Sequence, residues 1–173
     1  MDLAERIRDI PDFPKKGIVF KDIMPLLQDG AALREAVDRL AAAFADVKPE
    51  VVLAAEARGF IFGAAVAYKL GIGFVAVRKP GKLPYKTRSV TYELEYGTDT
   101  LCMHEDALKK GARVLVIDDL LATGGTVAGM VKLVREAGAE VAGVGFLIEL
   151  DFLHGRDKLP GLDVRSLIHC AGE

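Results

Sequence analysis

The strongest constraint on the fold of this chain is a pattern that occurs twice: a short apolar run, a segment of helical length, then another apolar run. Val51-Val52-Leu53-Ala54-Ala55 is a strand-length run without a charge, Gly59 to Leu70 has the length of a helix, and Ile72 to Val77 is apolar again. The pattern returns in Arg113-Val114-Leu115-Val116-Ile117, then Thr126 to Ala137 with Val127, Met130, Val131 and Val134 on one helical face, then Val141 to Leu150. Strands that are apolar on both faces belong in a parallel sheet covered on each side by helices. The expected class is therefore α/β, with a central, mostly parallel sheet flanked by helices. A chain of 173 residues suits one domain, and no repeat or Ser-rich or Pro-rich linker divides it, so residues 1–173 are expected to form a single domain.

Outside this core, Leu3, Ile7 and Ile10 recur at helical spacing, which predicts a short first helix stopped by Pro11-Asp12-Phe13-Pro14. Asp29 is placed to cap a second helix whose stripe is Leu33, Val37, Leu40, Ala41 and Phe44, ending near Asp46. Ser89 to Tyr96 alternates polar and apolar residues, and Thr98 to Met103 is its expected antiparallel partner across a turn at Gly97. A hairpin projecting from the α/β core is predicted. The residues after Asp163 carry no diagnostic pattern.

Charge and composition exclude several functions. The chain has 23 Lys and Arg against 25 Asp and Glu, a net charge of -2, so no global field favours nucleic acid or membrane. The longest uncharged stretch, Leu120 to Val131, includes two Thr and two adjacent Gly and falls well short of the ~18 apolar residues of a spanning helix. Asp2, Glu5, Arg6, Arg8 and Asp9 occupy the positions where a secretory signal needs an apolar core, so a cytoplasmic protein is expected. Cys102 and Cys170 sit in no metal-binding pattern and are expected to be reduced. The three histidines lack the spacing of a zinc site.

Chemistry concentrates in Val114-Leu115-Val116-Ile117-Asp118-Asp119-Leu120-Leu121-Ala122-Thr123-Gly124-Gly125-Thr126. A buried strand runs into two acids, a small-residue loop and a helix, at the strand end where open α/β sheets bind ligands. Gly124 and Gly125 let successive backbone N–H groups converge, Thr123 and Thr126 add hydroxyls, and a helix dipole starts behind them; such a loop is suited to a phosphate. Neither a Walker A loop nor a GxGxxG fingerprint is present here. Two adjacent carboxylates at a buried strand end are costly unless cations or hydroxyl donors meet them, so a sugar diol, Mg2+ or both are the expected ligands of Asp118 and Asp119.

This segment resembles the phosphoribosyl-diphosphate motif of the type I phosphoribosyltransferases. The resemblance implies that Ala122, Thr123, Gly124, Gly125 and Thr126 hold the ribose 5-phosphate and that Asp118 and Asp119 address the 2- and 3-hydroxyls, directly or through Mg2+. Four further segments, Asp12 to Ile23, Glu56 to Phe60, Arg78 to Pro84 and Tyr92 to Gly97, are similar to the adenine phosphoribosyltransferase family and occur in that family's order. The fold then implied has a small hood, about residues 11–28, and a flexible hairpin, about residues 82–103. Val19, Phe20 and Lys21 would read adenine, largely through backbone groups, with Lys21 standing where many members carry Arg.

The residues themselves agree with this assignment. Arg78, Lys79, Lys82, Lys86 and Arg88 form a cationic run without an acid, suited to a diphosphate. Glu56 and Arg58 follow the first buried strand at its carboxyl end, and the resemblance places Arg58 with Arg78, Lys79 and Lys82 around the diphosphate. Glu95, on the hairpin, is positioned to close over substrate and meet a ring nitrogen of the base, and the resemblance places the family's catalytic glutamate there. The implied reaction transfers phosphoribosyl from 5-phosphoribosyl 1-diphosphate to adenine, giving AMP and diphosphate, with Mg2+ as cofactor and a homodimer as the assembly. Two alternatives stand beside it: a sister transferase for a 6-oxopurine, and a non-catalytic regulator that binds phosphoribosyl diphosphate.

Overall fold

The structure is a computed structural model and describes residues 1–94 and 96–172. The chain runs from a single 3-10 turn at Leu3–Arg6 into strand β1 (Arg8–Ile10) and strand β2 (Phe20–Asp22), then helices α1 (Met24–Gln28) and α2 (Gly30–Phe44). There follow β3 (Val51–Ala55), α3 (Arg58–Leu70), β4 (Gly73–Val77), β5 (Thr87–Glu93), β6 (Thr98–His104), β7 (Arg113–Leu121), α4 (Gly125–Glu136), β8 (Glu140–Leu150) and β9 (Val164–Cys170). The central sheet has five strands in the order β4-β3-β7-β8-β9, and every pairing in it is parallel.

Alternation along β7 divides the core between the two faces of that sheet. Leu115 and Ile117 pack with Leu40 and Phe44 of α2 and Phe62 and Val66 of α3. Val114 and Val116 pack on the opposite face with Val127, Met130 and Val134 of α4. From β3 the chain crosses through α3 to β4 on one side, whereas β7 lies on the other side and sends α4 over the opposite face. The carboxyl ends of β3 and β7 therefore meet at a topological switch point, the crevice where open α/β sheets bind ligands.

Four features differ from the expectations above. The predicted first helix is only the 3-10 turn, capped by the Asp2 side chain, after which the chain extends into β1. Pro11 disfavours helical geometry at Ile10, and Arg8–Asp22 and Lys21–Asp9 ion pairs, both 2.8 Å, tie β1 to β2. The strand before the phosphate loop continues to Leu121, because Asp118, Leu120 and Leu121 keep their register with β8. The hairpin forms with the predicted pairing and Gly97 at its turn, but it does not simply project. Val90, Leu101 and Met103 are buried on the α4 face of the core, and a bridge between Arg78 and Cys102 ties β6 to the end of β4. Finally, β9 completes the sheet where no strand was legible. Asp29 does cap α2, accepting from the N–H groups of Ala31 and Ala32.

The far end of the sheet carries a buried ion pair. Glu149 at the end of β8 is 5% exposed and accepts from Arg156 Nε at 2.7 Å, Arg156 Nη2 at 2.9 Å and Ser166 Oγ at 2.6 Å. Burial pushes the Glu149 carboxyl up, but the guanidinium and the hydroxyl outweigh it and the net direction is below the ordinary 4.5. A depressed carboxyl stabilises the fold above its ordinary titration range and loses that contribution as pH falls through the folded value. Arg156→Ala is expected to cost about 2 kcal/mol at neutral pH, less than a fully buried pair because the guanidinium is half open to water. Urea unfolding checks this: the gap between parent and variant should close as the pH falls well below 4.5.

Candidate active site

A cleft of about 300 Å³ opens at the switch point. One wall is the turn between β3 and α3, residues 56–59, and the other is the end of β7 with the loop into α4, residues 118–127. The cleft brings together Arg58, Asp118, Asp119, Ala122, Thr123, Gly124, Gly125 and Thr126, all singled out from sequence. Leu120, Leu121 and Val127 line it as well, and in the sequence their apolar side chains carry no signal distinct from the core.

Asp118 and Asp119 are the electrostatic centre. The Asp119 N–H donates to Asp118 Oδ1 at 2.8 Å, and Asp119, only 6% exposed, pairs with Arg58 Nε at 3.0 Å. Burial and the adjoining Asp119 charge hold the Asp118 carboxyl well above the usual carboxylate range. One half-exposed guanidinium thus faces two crowded carboxylates, and a hydroxyl donor or a cation entering the cleft would favour the ionised form of Asp118. Gly59 permits the crowding, since a Cβ there would lie 2.8 Å from Asp118 Oδ1.

The loop after the acids is shaped by Gly124, whose φ of +91° belongs to the left-handed region and whose Cβ, if present, would lie 2.6 Å from the Gly155 carbonyl oxygen. The segment around Gly155 backs the loop, a role not visible in sequence. Both helices that start at the cleft, α3 and α4, lack a side-chain N-cap, whereas α2, whose start does not line it, is capped by Asp29. Two helix starts with uncapped N–H groups therefore border one cleft, an arrangement that favours anions.

The hood approaches over Arg58. Its guanidinium lies 5.4 Å from the centre of the Phe20 ring, and Phe20 packs edge-on against Phe13 at 5.1 Å. Val19 is half-buried beside them. Lys21 points elsewhere: its ammonium is held by Asp9 and the side chain is only 10% exposed, so any part it has in reading a base falls to its backbone. At the rim, Lys15 of the hood lies 5.7 Å from the Tyr96 ring of the hairpin turn, so hood and hairpin touch. Glu95, the expected catalytic glutamate, lies outside the described residues.

The basic segment borders the cleft but does not line it. Glu56 accepts from the Lys79 N–H at 2.8 Å and from Arg78 Nε at 3.1 Å, and these bonds hold its carboxyl below the ordinary range. Arg78 and Lys79 are thereby fixed to the turn that forms one wall. The Lys79 ammonium pairs with Asp99 on β6, and Lys82 is near enough to act on Glu56 through its charge. A second cleft at Glu149, Asp151 and His169 places their ligand atoms within 4.8 Å of one another. Arg156 and Ser166 already occupy Glu149, and His169 Nδ1 lies 2.9 Å from Asp151.

The phosphoribosyl transferase domain family matches residues 23–165. The chain is 61% identical to an adenine phosphoribosyltransferase of Solidesulfovibrio magneticus over 171 residues, covering 99% of this chain and 100% of that one. Among solved structures it is similar to adenine phosphoribosyltransferase from Thermoanaerobacter pseudethanolicus, with a TM-score of 0.95, 55% identity and 98% of each chain covered. It is also similar to the enzyme of Giardia lamblia complexed with 9-deazaadenine, with a TM-score of 0.91, 38% identity and 98% and 96% of the two chains covered.

Proposed function

Since the chain belongs to the phosphoribosyltransferase family, we propose that it is an adenine phosphoribosyltransferase, which transfers phosphoribosyl from 5-phosphoribosyl 1-diphosphate to N9 of adenine and releases AMP and diphosphate. One observation carries this reading: Asp118 and Asp119 share a cleft with the Thr123 to Thr126 loop at the start of α4, beneath the Phe20 hood. A sugar phosphate needs those groups together, hydroxyl acceptors beside an anion cradle.

In this reading the loop from Ala122 to Thr126 holds the 5-phosphate through backbone N–H groups, that of Thr126 included, and the Thr123 hydroxyl. Asp118 and Asp119 accept from the ribose hydroxyls. Arg58, with Arg78, Lys79 and Lys82 at the rim, faces the diphosphate. Val19, Phe20 and the Lys21 backbone receive adenine. Departure of diphosphate leaves positive charge on the ribosyl carbon, which the nearby carboxylates stabilise, while the cationic side chains stabilise the leaving group. Glu95 holds the proton exchanged with the adenine ring as the new C–N bond forms at N9. Hood and hairpin, in contact through Lys15 and Tyr96, keep water from competing for the ribosyl carbon.

The donor set fits Mg2+, since two crowded carboxylates have one guanidinium between them. Asp118 or Asp119 would hold the ion, directly or through the substrate's hydroxyls. When bound, Mg2+ supplies positive charge to the diphosphate leaving group. Residues 1–173 act as one cytoplasmic domain in this reading, and among the described residues no helix is long and apolar enough to cross a membrane. The protein assembles as a homodimer; Ile61 and Tyr68, 41% and 90% exposed on one face of α3, offer a surface for the second copy.

A panel of adenine, hypoxanthine, guanine and xanthine with labelled phosphoribosyl diphosphate tests the base. Adenine is expected to be preferred in kcat/KM by at least about a thousandfold, because a site that hydrogen-bonds an exocyclic amine leaves buried groups unpaired against a 6-oxo group. A 6-oxopurine used as well as adenine would assign the chain to a sister reaction.

A further inference from the structure

Tyr92 on β5 has no part in the reaction described above, yet it touches the phosphate-loop side of the proposed phosphoribosyl diphosphate site and reaches the basic side through Asp99. Its ring lies along the start of α4, where Gly125 and Gly129 are one turn apart. A Cβ on Gly129 would come 3.2 Å from Tyr92 Cδ1, and one on Gly125 would come 3.6 Å from Cδ2. Gly is an unfavourable residue in the interior of a helix, and at Gly129 its lack of a side chain makes room for this ring. The hydroxyl is the middle of a chain of polar contacts. Thr126 Oγ1 donates to Tyr92 Oη at 3.5 Å, and the Tyr92 hydroxyl donates to Asp99 Oδ2 at 3.3 Å. The same Asp99 oxygen pairs with the Lys79 ammonium, and Asp99 Oδ1 is fixed by the Thr100 N–H at 2.8 Å.

One end of the chain is thus a hydroxyl of the phosphate loop, and the other is a lysine of the basic segment. Lys79 is also fixed by its backbone, through Glu56, to the opposite wall of the cleft. Left free, its side chain would range over many rotamers, and ordering it on each binding event would cost conformational entropy. Asp99 keeps the ammonium at the cleft rim, and Tyr92 keeps Asp99 in register with Thr126.

We propose that Tyr92 is a positioning residue for phosphoribosyl diphosphate, holding Lys79 through Asp99 and aligning it with the phosphate loop through Thr126. The proposal rests on the reading of Thr126 and Lys79 as contacts for that substrate. Tyr92→Phe tests it, because the ring stays against Gly125 and Gly129 and only the hydroxyl is lost. Calorimetric titration with phosphoribosyl diphosphate and Mg2+ is expected to give a Kd about fivefold weaker than the parent's, with Tm unchanged to within about 2 °C. In a Lys79→Gln background the same substitution is expected to change Kd by less than about twofold, since no ammonium remains to be held. An unchanged Kd in Tyr92→Phe, or a fivefold loss that persists in the Lys79→Gln background, overturns the proposal. AMP formation by the parent is measured alongside. AMP formed together with an unchanged Tyr92→Phe Kd removes the positioning role and leaves the transferase. The expected weakening without AMP removes the transferase and leaves the positioning role, and failure of the parent to bind phosphoribosyl diphosphate overturns both.

Discussion

Replacing Asp118 and Asp119 together by Asn is expected to weaken phosphoribosyl diphosphate binding by about a hundredfold or more while leaving the fold at least as stable. Each carboxylate that accepts from a ribose hydroxyl makes a charge-assisted hydrogen bond worth roughly 1.5–3 kcal/mol, and losing two corresponds to about 3 kcal/mol at the lower end, over two decades in Kd. Stability moves the other way for a reason visible in the cleft. Asp118 is held well above the usual range by burial and by the Asp119 charge, so the pair strains the protein without ligand. Asn removes both the repulsion and the ionic desolvation, and Arg58, whose side chain is 44% exposed, retains water in place of its partner. Calorimetry and urea unfolding of one protein preparation read the two effects separately. A parent-like Kd in the double variant would remove these acids from the substrate site.

The second large effect is expected at Glu95. Glu95→Gln keeps size and polarity but cannot take up a proton, so turnover should fall about a hundredfold or more while the KM values stay within about threefold of the parent's. Glu93 and Thr98 are the last cross-strand pair of the hairpin, and Tyr96 at its turn faces Lys15 of the hood. A variant with near-normal turnover would take proton handling away from this residue. A KM that rises in step with the loss of turnover would point to binding instead.

The parts legible in the sequence are those where a local pattern and the tertiary environment agree. Val51 to Ala55 and Val114 to Ile117 are apolar on both faces because helices cover both faces, and that pattern alone gives a parallel sheet. The phosphate loop was readable because its glycines, threonines and acids are contiguous, so seven of the site residues arrive on one stretch of chain. Other parts depend on distant partners. The segment leading into β1 carries a helical spacing in Leu3, Ile7 and Ile10, while the extended form of β1 is set by pairing with β2 some ten residues later. β9 is half-buried along most of its length and sits at the edge of the sheet, so its sequence shows neither a continuous apolar run nor a clean alternation. Gly155 and Asp99 acquire their roles only where the fold sets them against Gly124 and Lys79. Such roles leave no local signature.

The central claim is that this cleft joins adenine to a phosphoribosyl group. Incubation of the purified protein with adenine, 5-phosphoribosyl 1-diphosphate and Mg2+, with AMP and diphosphate both quantified, tests it most directly. The account predicts the two products in equal amounts, only when both substrates are present, and a large fall in rate when Mg2+ is chelated. Binding of phosphoribosyl diphosphate with no AMP formed under any of these conditions would contradict it.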